Sequence, residues 1–180
     1  MTSALALSLL AALLGAPTAQ EPDEAALRST IETYLGAIET PVPEERWRQL
    51  GPRAAPILAA IAASGDALPT DRARSLHALG LVDPQEASRL AGPLAADPQA
   101  PQVLRVTALR TLGAVLPAAT LRTALRPTLA RDPSPVLRAV AAEVLARHGG
   151  AEGCRMVKAS VAGEDEAERG KFHRSVLLCP

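Results

Sequence analysis

Charged and apolar residues recur in this chain at a fixed step of 33 residues. Two series follow the step, one cationic and one of leucines: Arg72, Arg105, Arg138 and Lys171, and Leu79, Leu112, Leu145 and Leu178. A period of this length is typical of stacked helical arrays, in which no single unit buries its apolar face alone. The step therefore predicts a row of similar helical units with a continuous core.

Residues 132–149 show what one unit contains. Asp132 is expected to cap the start of a helix, and Gly149 and Gly150 can adopt the left-handed conformation that ends one. The apolar residues between them follow helical spacing on one stripe: Leu137, Val140, Ala141, Val144 and Leu145. The chain is 48% apolar and only 2% aromatic, and it lacks runs typical of strands. We predict an all-α fold.

Residues 51–58, with the helix of Arg72 that follows, and residues 132–145 resemble the short HEAT-like repeats of the armadillo/HEAT α-solenoid superfamily. The resemblance covers residues 51–180 and is weaker in the last repeat, where Lys171 replaces arginine. It implies a right-handed α-solenoid of about four antiparallel helix pairs, preceded by an N-terminal capping helix. The predicted pairs are residues 52–63 with 70–81, 84–96 with 100–115, 118–130 with 134–147, and 151–162 with 165–179.

The segment before the repeats has two parts. Residues 1–19 contain an apolar run and small residues typical of a signal peptide, and this run is too short to span a bilayer. No lysine or arginine precedes the run, so a mis-assigned start or a buried core helix is the alternative. Residues 20–50 are predicted to form an acidic helical cap, with a first helix from Asp23 to about Glu39 and a short helix carrying Trp47. Residues 51–180 form the repeat domain.

Cys154 and Cys179 are the two cysteines of the chain. An even count after a signal peptide predicts a disulfide and a periplasmic or secreted location. This disulfide would stabilise the last repeat by about 3.5 kcal/mol in the chain-entropy picture. The alternative is a tetrahedral zinc site that adds His148 and His173, although their spacing matches no usual zinc motif.

The cationic series is the most regular polar feature. In the family that the chain resembles, an aspartate at the turn and an arginine early in the second helix tie adjacent repeats together, and Asp132 with Arg138 fits this pattern. We therefore predict a structural ladder that consists of Arg72, Arg105, Asp132, Arg138 and Lys171. The alternative is a row of donors that faces an acidic partner.

The ladder does not explain five further arginines, of which the first four are candidate partner-binding residues: Arg110, Arg122, Arg126, Arg131 and Arg147. We predict that they form a basic patch for a protein partner with an acidic surface. The alternative is a solvated face without a partner.

No catalytic motif, phosphate-binding loop or zinc-protease motif is present in the sequence. We therefore predict no catalytic residues, no cofactor and no metal, and an exported, non-catalytic scaffold that binds another protein through one face of the superhelix. One alternative is an accessory subunit or a divergent lyase-like enzyme of the HEAT-like repeat class. A second is nucleic-acid binding through the basic middle repeats, against which zero net charge and the scarcity of aromatic residues count.

Overall fold

The computed structural model describes residues 21–37 and 39–179, and within these ranges the chain is all-α, without β-strands. The predicted signal peptide lies outside the described residues. The helices are α1 (Glu21–Gly36), α2 (Glu44–Leu50), α3 (Ala55–Ala63), α4 (Pro69–Val82), α5 (Pro84–Ala96), α6 (Gln102–Val115), α7 (Ala118–Arg131), α8 (Pro135–His148), α9 (Gly150–Ala162), α10 (Glu166–Arg169) and α11 (His173–Leu177). Short 3-10 helices cover Pro52–Ala54 and Gly170–Phe172.

The start of α8 differs from the expectation. Its N-cap is Ser134, whose hydroxyl oxygen accepts a hydrogen bond from the Leu137 N–H at 3.4 Å. The prediction that Asp132 caps this helix is wrong, because the residue before a proline avoids the helical conformation and Pro135 therefore places the boundary at Ser134. The Asp132 carboxylate is left available for another contact.

Each of the central helices packs against the next helix and against the next but one. The sequential contacts join α3 to α4, α5 to α6 and α7 to α8. The contacts at the longer interval join α4 to α6 and α6 to α8 on one side, and α3 to α5, α5 to α7 and α7 to α9 on the other. Both α1 and α2 pack against α4. Among the described helices, none has the length and apolarity needed to cross a bilayer.

The last predicted helix is divided into three short helical segments. The single helix expected over residues 165–179 is instead α10, a 3-10 turn and α11. The break falls at Gly170, and glycine is a poor helix former. Phe172, in the 3-10 turn, is completely buried in the core that α8 and α9 help to form.

Helices α6 and α8 approach most closely at Gly113. A Cβ atom built on Gly113 would lie 2.5 Å from Cγ1 of Val144 and 3.2 Å from Cδ2 of His148. Gly80, one step of 33 earlier, has a milder contact, with Cγ2 of Thr111 at 3.3 Å. The recurrence of glycine in the sequence thus corresponds to a place where two helices leave no room for a side chain.

We expect Gly113→Ala to lower the free energy of unfolding by about 1–3 kcal/mol, because the added methyl group overpacks the contact with Val144. Gly92→Ala is the matched control, since a Cβ on this α5 glycine would meet no neighbouring helix within 4 Å. Gly92→Ala should change the free energy of unfolding by less than about 1 kcal/mol, because Pro93 offsets part of the gain in helix propensity. Urea unfolding followed by circular dichroism measures both, and a Gly113→Ala variant as stable as the wild type would contradict the close approach.

Candidate functional site

The first two members of the predicted ladder bind the ends of the preceding helices. Arg72 donates from Nε to the Ala62 carbonyl at 3.1 Å, and Arg105 donates from Nε and Nη2 to the Ala95 carbonyl at 3.1 and 3.0 Å. Both carbonyls lie in the last turn of a helix, α3 or α5, where backbone oxygens have no helical donor. The two arginines therefore hold α4 to α3 and α6 to α5.

Asp132 joins two units through Arg105 rather than through the side chain of Arg138. Its Oδ2 pairs with Nη2 of Arg105, and the side chains of Arg105 and Asp132 are only 8% and 5% exposed. Its Oδ1 accepts the N–H of Ser134, the N-cap residue of α8, at 2.9 Å. Arg138, the expected partner, instead donates to the main-chain oxygen of Asp132 at 2.8 Å.

Arg138 makes its own tie to the next unit. Its Nε and Nη2 donate to the two carboxylate oxygens of Glu164 at 2.7 and 2.6 Å, and Glu164 follows α9 in the chain. These hydrogen bonds hold the pKa of Glu164 below its ordinary value, and they raise the pKa of Arg138. Lys171, the last member of the ladder, is exposed and pairs only with Glu168 on its own segment.

Asp132→Asn should lower the free energy of unfolding by about 3 kcal/mol, because it leaves the Arg105 guanidinium buried without a counter-charge. Lys171→Gln is the control from the same series and should change the value by less than about 1 kcal/mol, as is usual for an exposed ion pair. Urea unfolding at neutral pH compares the two variants. Similar effects of both would show that the buried pair does not hold the units together.

The Glu164 ion pair predicts a pH dependence of stability. The pKa of Glu164 is lowered in the folded state, so its contribution is present above the unfolded-state pKa and is lost as the pH falls through the folded-state value. Below pH 4.5, the ordinary pKa of a glutamate, the wild type should lose stability more steeply than Glu164→Gln. Urea unfolding at a series of pH values measures this, and parallel curves for the two proteins would refute the linkage.

The four arginines predicted to meet a partner do not share one patch. Arg110 is exposed on α6, and Arg126 and Arg131 line a groove between α7 and α9. Arg122 is used internally, because its Nη1 donates to the Gly149 carbonyl at 2.8 Å, at the turn into α9 where Gly150 has a φ of 68°. The structure thus separates one internal arginine from two distinct surfaces.

The surface around Arg110 follows the step of 33 residues. One groove is lined by three pairs of residues from α4 and α6, each pair 33 positions apart: Thr70 and Val103, Arg74 and Thr107, and His77 and Arg110. The next equivalents on α8 line a second groove, against α11: Val136, Val140 and Glu143. We call the surface formed by these nine residues the α4–α6–α8 face. Val103 and Val136, which lie on helices that pack together, are 44% and 37% exposed.

The first groove, which we call the cap groove, has a volume of about 500 Å³ and is closed on one side by the N-terminal segment. Tyr34 of α1 and Trp47 of α2 line it, and they are the single tyrosine and the single tryptophan of the chain. Their rings meet edge to face with centroids 5.2 Å apart. Trp47 is buried and Tyr34 is half-buried, so the groove has a rigid aromatic wall.

Cations outnumber acids along the two grooves of the α4–α6–α8 face. The lining residues include Arg74, Arg110, Lys171 and Arg174. The lining acid is Glu143, which is held by Arg147 at 3.0 Å and by Arg174 at 3.2 Å. Arg110 has no ion pair within the described part of the chain, so its guanidinium is available to a ligand.

The far end of the α4–α6–α8 face is braced by the disulfide. Cys154 of α9 is bonded to Cys179, which follows α11, with Cα atoms 5.3 Å apart. The predicted disulfide is therefore present, and the sulfur atoms are bonded to each other rather than available as thiolates for a zinc site with His148 and His173. Over residues 21–37 and 39–179, no group of three or more potential ligand side chains is placed to hold a metal ion.

Comparisons of the chain with family models, with curated proteins and with solved structures found no match. The resemblance to HEAT-like repeats therefore stays a prediction, and the function has to be argued from the surfaces.

Sequence reasoning missed Val103, Val136 and the aromatic wall of Tyr34 and Trp47. A signal was available, because the step of 33 applied to Arg110 leads to His77 and Glu143, which are polar and therefore mark an outward side of the second helices. Applying the same step to the neighbouring valines would have placed them beside these polar residues.

Proposed function

We propose that this chain is an exported, non-catalytic α-solenoid that binds an acidic, amphipathic segment of another protein along the α4–α6–α8 face. In this proposal the helices form antiparallel pairs that stack with a right-handed twist. Short connections support the pairing, since five residues separate α3 from α4 and α5 from α6, and three residues separate α7 from α8. The regular contacts of α4 with α6 and of α6 with α8 support the stacking.

The observation that carries the proposal is the exposure of Val103 and Val136 beside a cation excess that includes Arg110. Exposed apolar residues flanked by charge mark interaction surfaces. Tryptophan, tyrosine and arginine are also the residue types enriched where binding energy concentrates, and the cap groove is lined by Trp47, Tyr34 and two arginines. A partner segment with apolar side chains on one side and carboxylates along its edges fits this surface.

The disulfide between Cys154 and Cys179 supports export, because disulfides persist in oxidising compartments. The apolar run of residues 1–19 supports it independently from the sequence.

Site-specific photocrosslinking tests the proposal in the full chain. With p-benzoylphenylalanine in place of Val103, we expect irradiation of source cells to give an adduct with another protein. The same probe in place of Gln85, an exposed residue of α5 outside the face, should give none. Because cations attract the partner, Arg110→Glu should reduce the yield at least tenfold, whereas Arg46→Glu, at an exposed arginine of α2, should not.

Three results would overturn the proposal. Equal yields from the probes at positions 103 and 85 would show that the α4–α6–α8 face is not the preferred binding surface. An adduct that is insensitive to Arg110→Glu would remove the electrostatic argument. An adduct made only of two copies of this chain would show that the face serves self-association.

A further inference from the structure

A second groove, on the side of the molecule formed by α7 and α9, carries charge that the fold does not use. It has a volume of about 670 Å³, and we call it the arginine groove. Its defining residues are Arg126 and Arg131 of α7, Asp132 at the following turn, Met156 and Ser160 of α9, and Glu164 beyond α9. None of these residues belongs to the α4–α6–α8 face.

The two acids at the base of the arginine groove are already neutralised. Asp132 pairs with Arg105, and Glu164 receives two hydrogen bonds from Arg138. The third guanidinium nitrogen of Arg138, Nη1, donates a hydrogen bond to the Asp132 carbonyl oxygen at 2.8 Å. The base therefore offers little net charge to a ligand, and Arg138 cannot turn towards one without breaking the tie between two units.

Unlike the two acids at the base, the guanidinium groups at the rim have no counter-charge among the described residues. Arg126 and Arg131 are exposed, and within residues 21–37 and 39–179 neither forms an ion pair. Asp165 is the lining acid outside the internal pairs. Two exposed cations against this one exposed acid leave the mouth of the groove with an excess of positive charge.

Apolar side chains also line the groove, and its walls are held in place. Met156 of α9 is half-buried, whereas Leu129 of α7 is only 4% exposed. Ser160 of α9 donates from Oγ to the Leu129 carbonyl of α7 at 3.4 Å, so the two walls are joined directly. A preformed groove loses little conformational freedom when it binds.

We infer that the arginine groove is a second binding site, which takes an acidic peptide segment that carries an apolar side chain between its carboxylates. The carboxylates bind Arg126 and Arg131 at the rim, where arginine can make two parallel hydrogen bonds to one carboxylate. The apolar side chain packs against Met156 and against the exposed Ala130 and Ala159. A nucleic acid fits less well, since Asp165 repels phosphates and no aromatic side chain lines the groove to stack a base.

Fluorescence anisotropy with the full-length, disulfide-bonded protein tests this inference. The probe is a fluorescein-labelled Glu-Glu-Leu-Glu-Glu peptide at low salt. We expect the double variant Arg126→Gln with Arg131→Gln to weaken its affinity at least tenfold. The fold should be unaffected, because neither side chain forms an ion pair, and circular dichroism checks this.

Matched variants separate this site from the α4–α6–α8 face. Arg46→Gln with Arg89→Gln removes two exposed arginines that line neither groove and should leave the affinity for the peptide unchanged. If this control weakens peptide binding as much as the groove variant does, the peptide binds by general attraction, and the inference fails. An effect of Arg110→Gln as large as that of the groove variant would place the peptide on the α4–α6–α8 face and would also overturn the inference. The proposed function can survive that result, because it is tested by crosslinking at position 103.

The peptide itself supplies the remaining controls. Replacing its glutamates by glutamine should abolish binding, and replacing its leucine by serine should weaken binding several-fold. Equal affinity of the leucine and serine peptides would contradict the apolar contact. Tighter binding of single-stranded oligothymidylate, with the same dependence on Arg126 and Arg131, would show that the groove is a nucleic-acid site and would overturn the inference.

Discussion

The buried ion pair between Arg105 and Asp132 fixes one helical unit against the next. Removing two charges from water is costly and is tolerated only when other hydrogen bonds satisfy the remaining polar atoms. Here Arg105 also donates to the Ala95 carbonyl, and Asp132 also accepts the Ser134 N–H. Because these partners come from α5, α6 and the turn before α8, a slip of one unit along the next would leave both charges buried and unpaired. The regular spacing of exposed residues such as Val103 and Val136 depends on this alignment of one helical unit with the next.

The step of 33 residues predicted the all-α class and most of the helices, since it records which positions are equivalent. It could not predict which carboxylate meets which arginine. That choice depends on the direction of side chains at the turns, where a hydrogen bond to Ser134 aims Asp132 at Arg105 and leaves Arg138 to Glu164. The break at Gly170 also escaped prediction, because it depends on burying Phe172 in the core rather than on local spacing.

The candidate binding surfaces were not predicted from the sequence, because spacing alone does not separate buried residues from exposed ones. Apolar residues at helical spacing look like core, yet Val103 and Val136 lie on the outward side of helices whose inward side is filled by leucine and alanine. The positions of the charged residues in the sequence also did not indicate which of them are available for binding, since Arg122 and Arg126 look alike in sequence. Only the structure shows that the first is used by the Gly149 carbonyl and that the second has no ion pair in the part of the chain described. The residues available for binding are those that the packing of the helices and the internal hydrogen bonds do not use.

The edge-to-face contact of Tyr34 with Trp47 determines which part of the chain intrinsic fluorescence detects during unfolding. Both rings belong to the N-terminal segment that packs against α4, and the chain has no other tryptophan or tyrosine. Intrinsic fluorescence therefore senses only that end, whereas far-ultraviolet circular dichroism averages over every helix. Different parts of a protein can open at different free energies. The two signals together show whether the N-terminal segment loses its order before the rest of the helices.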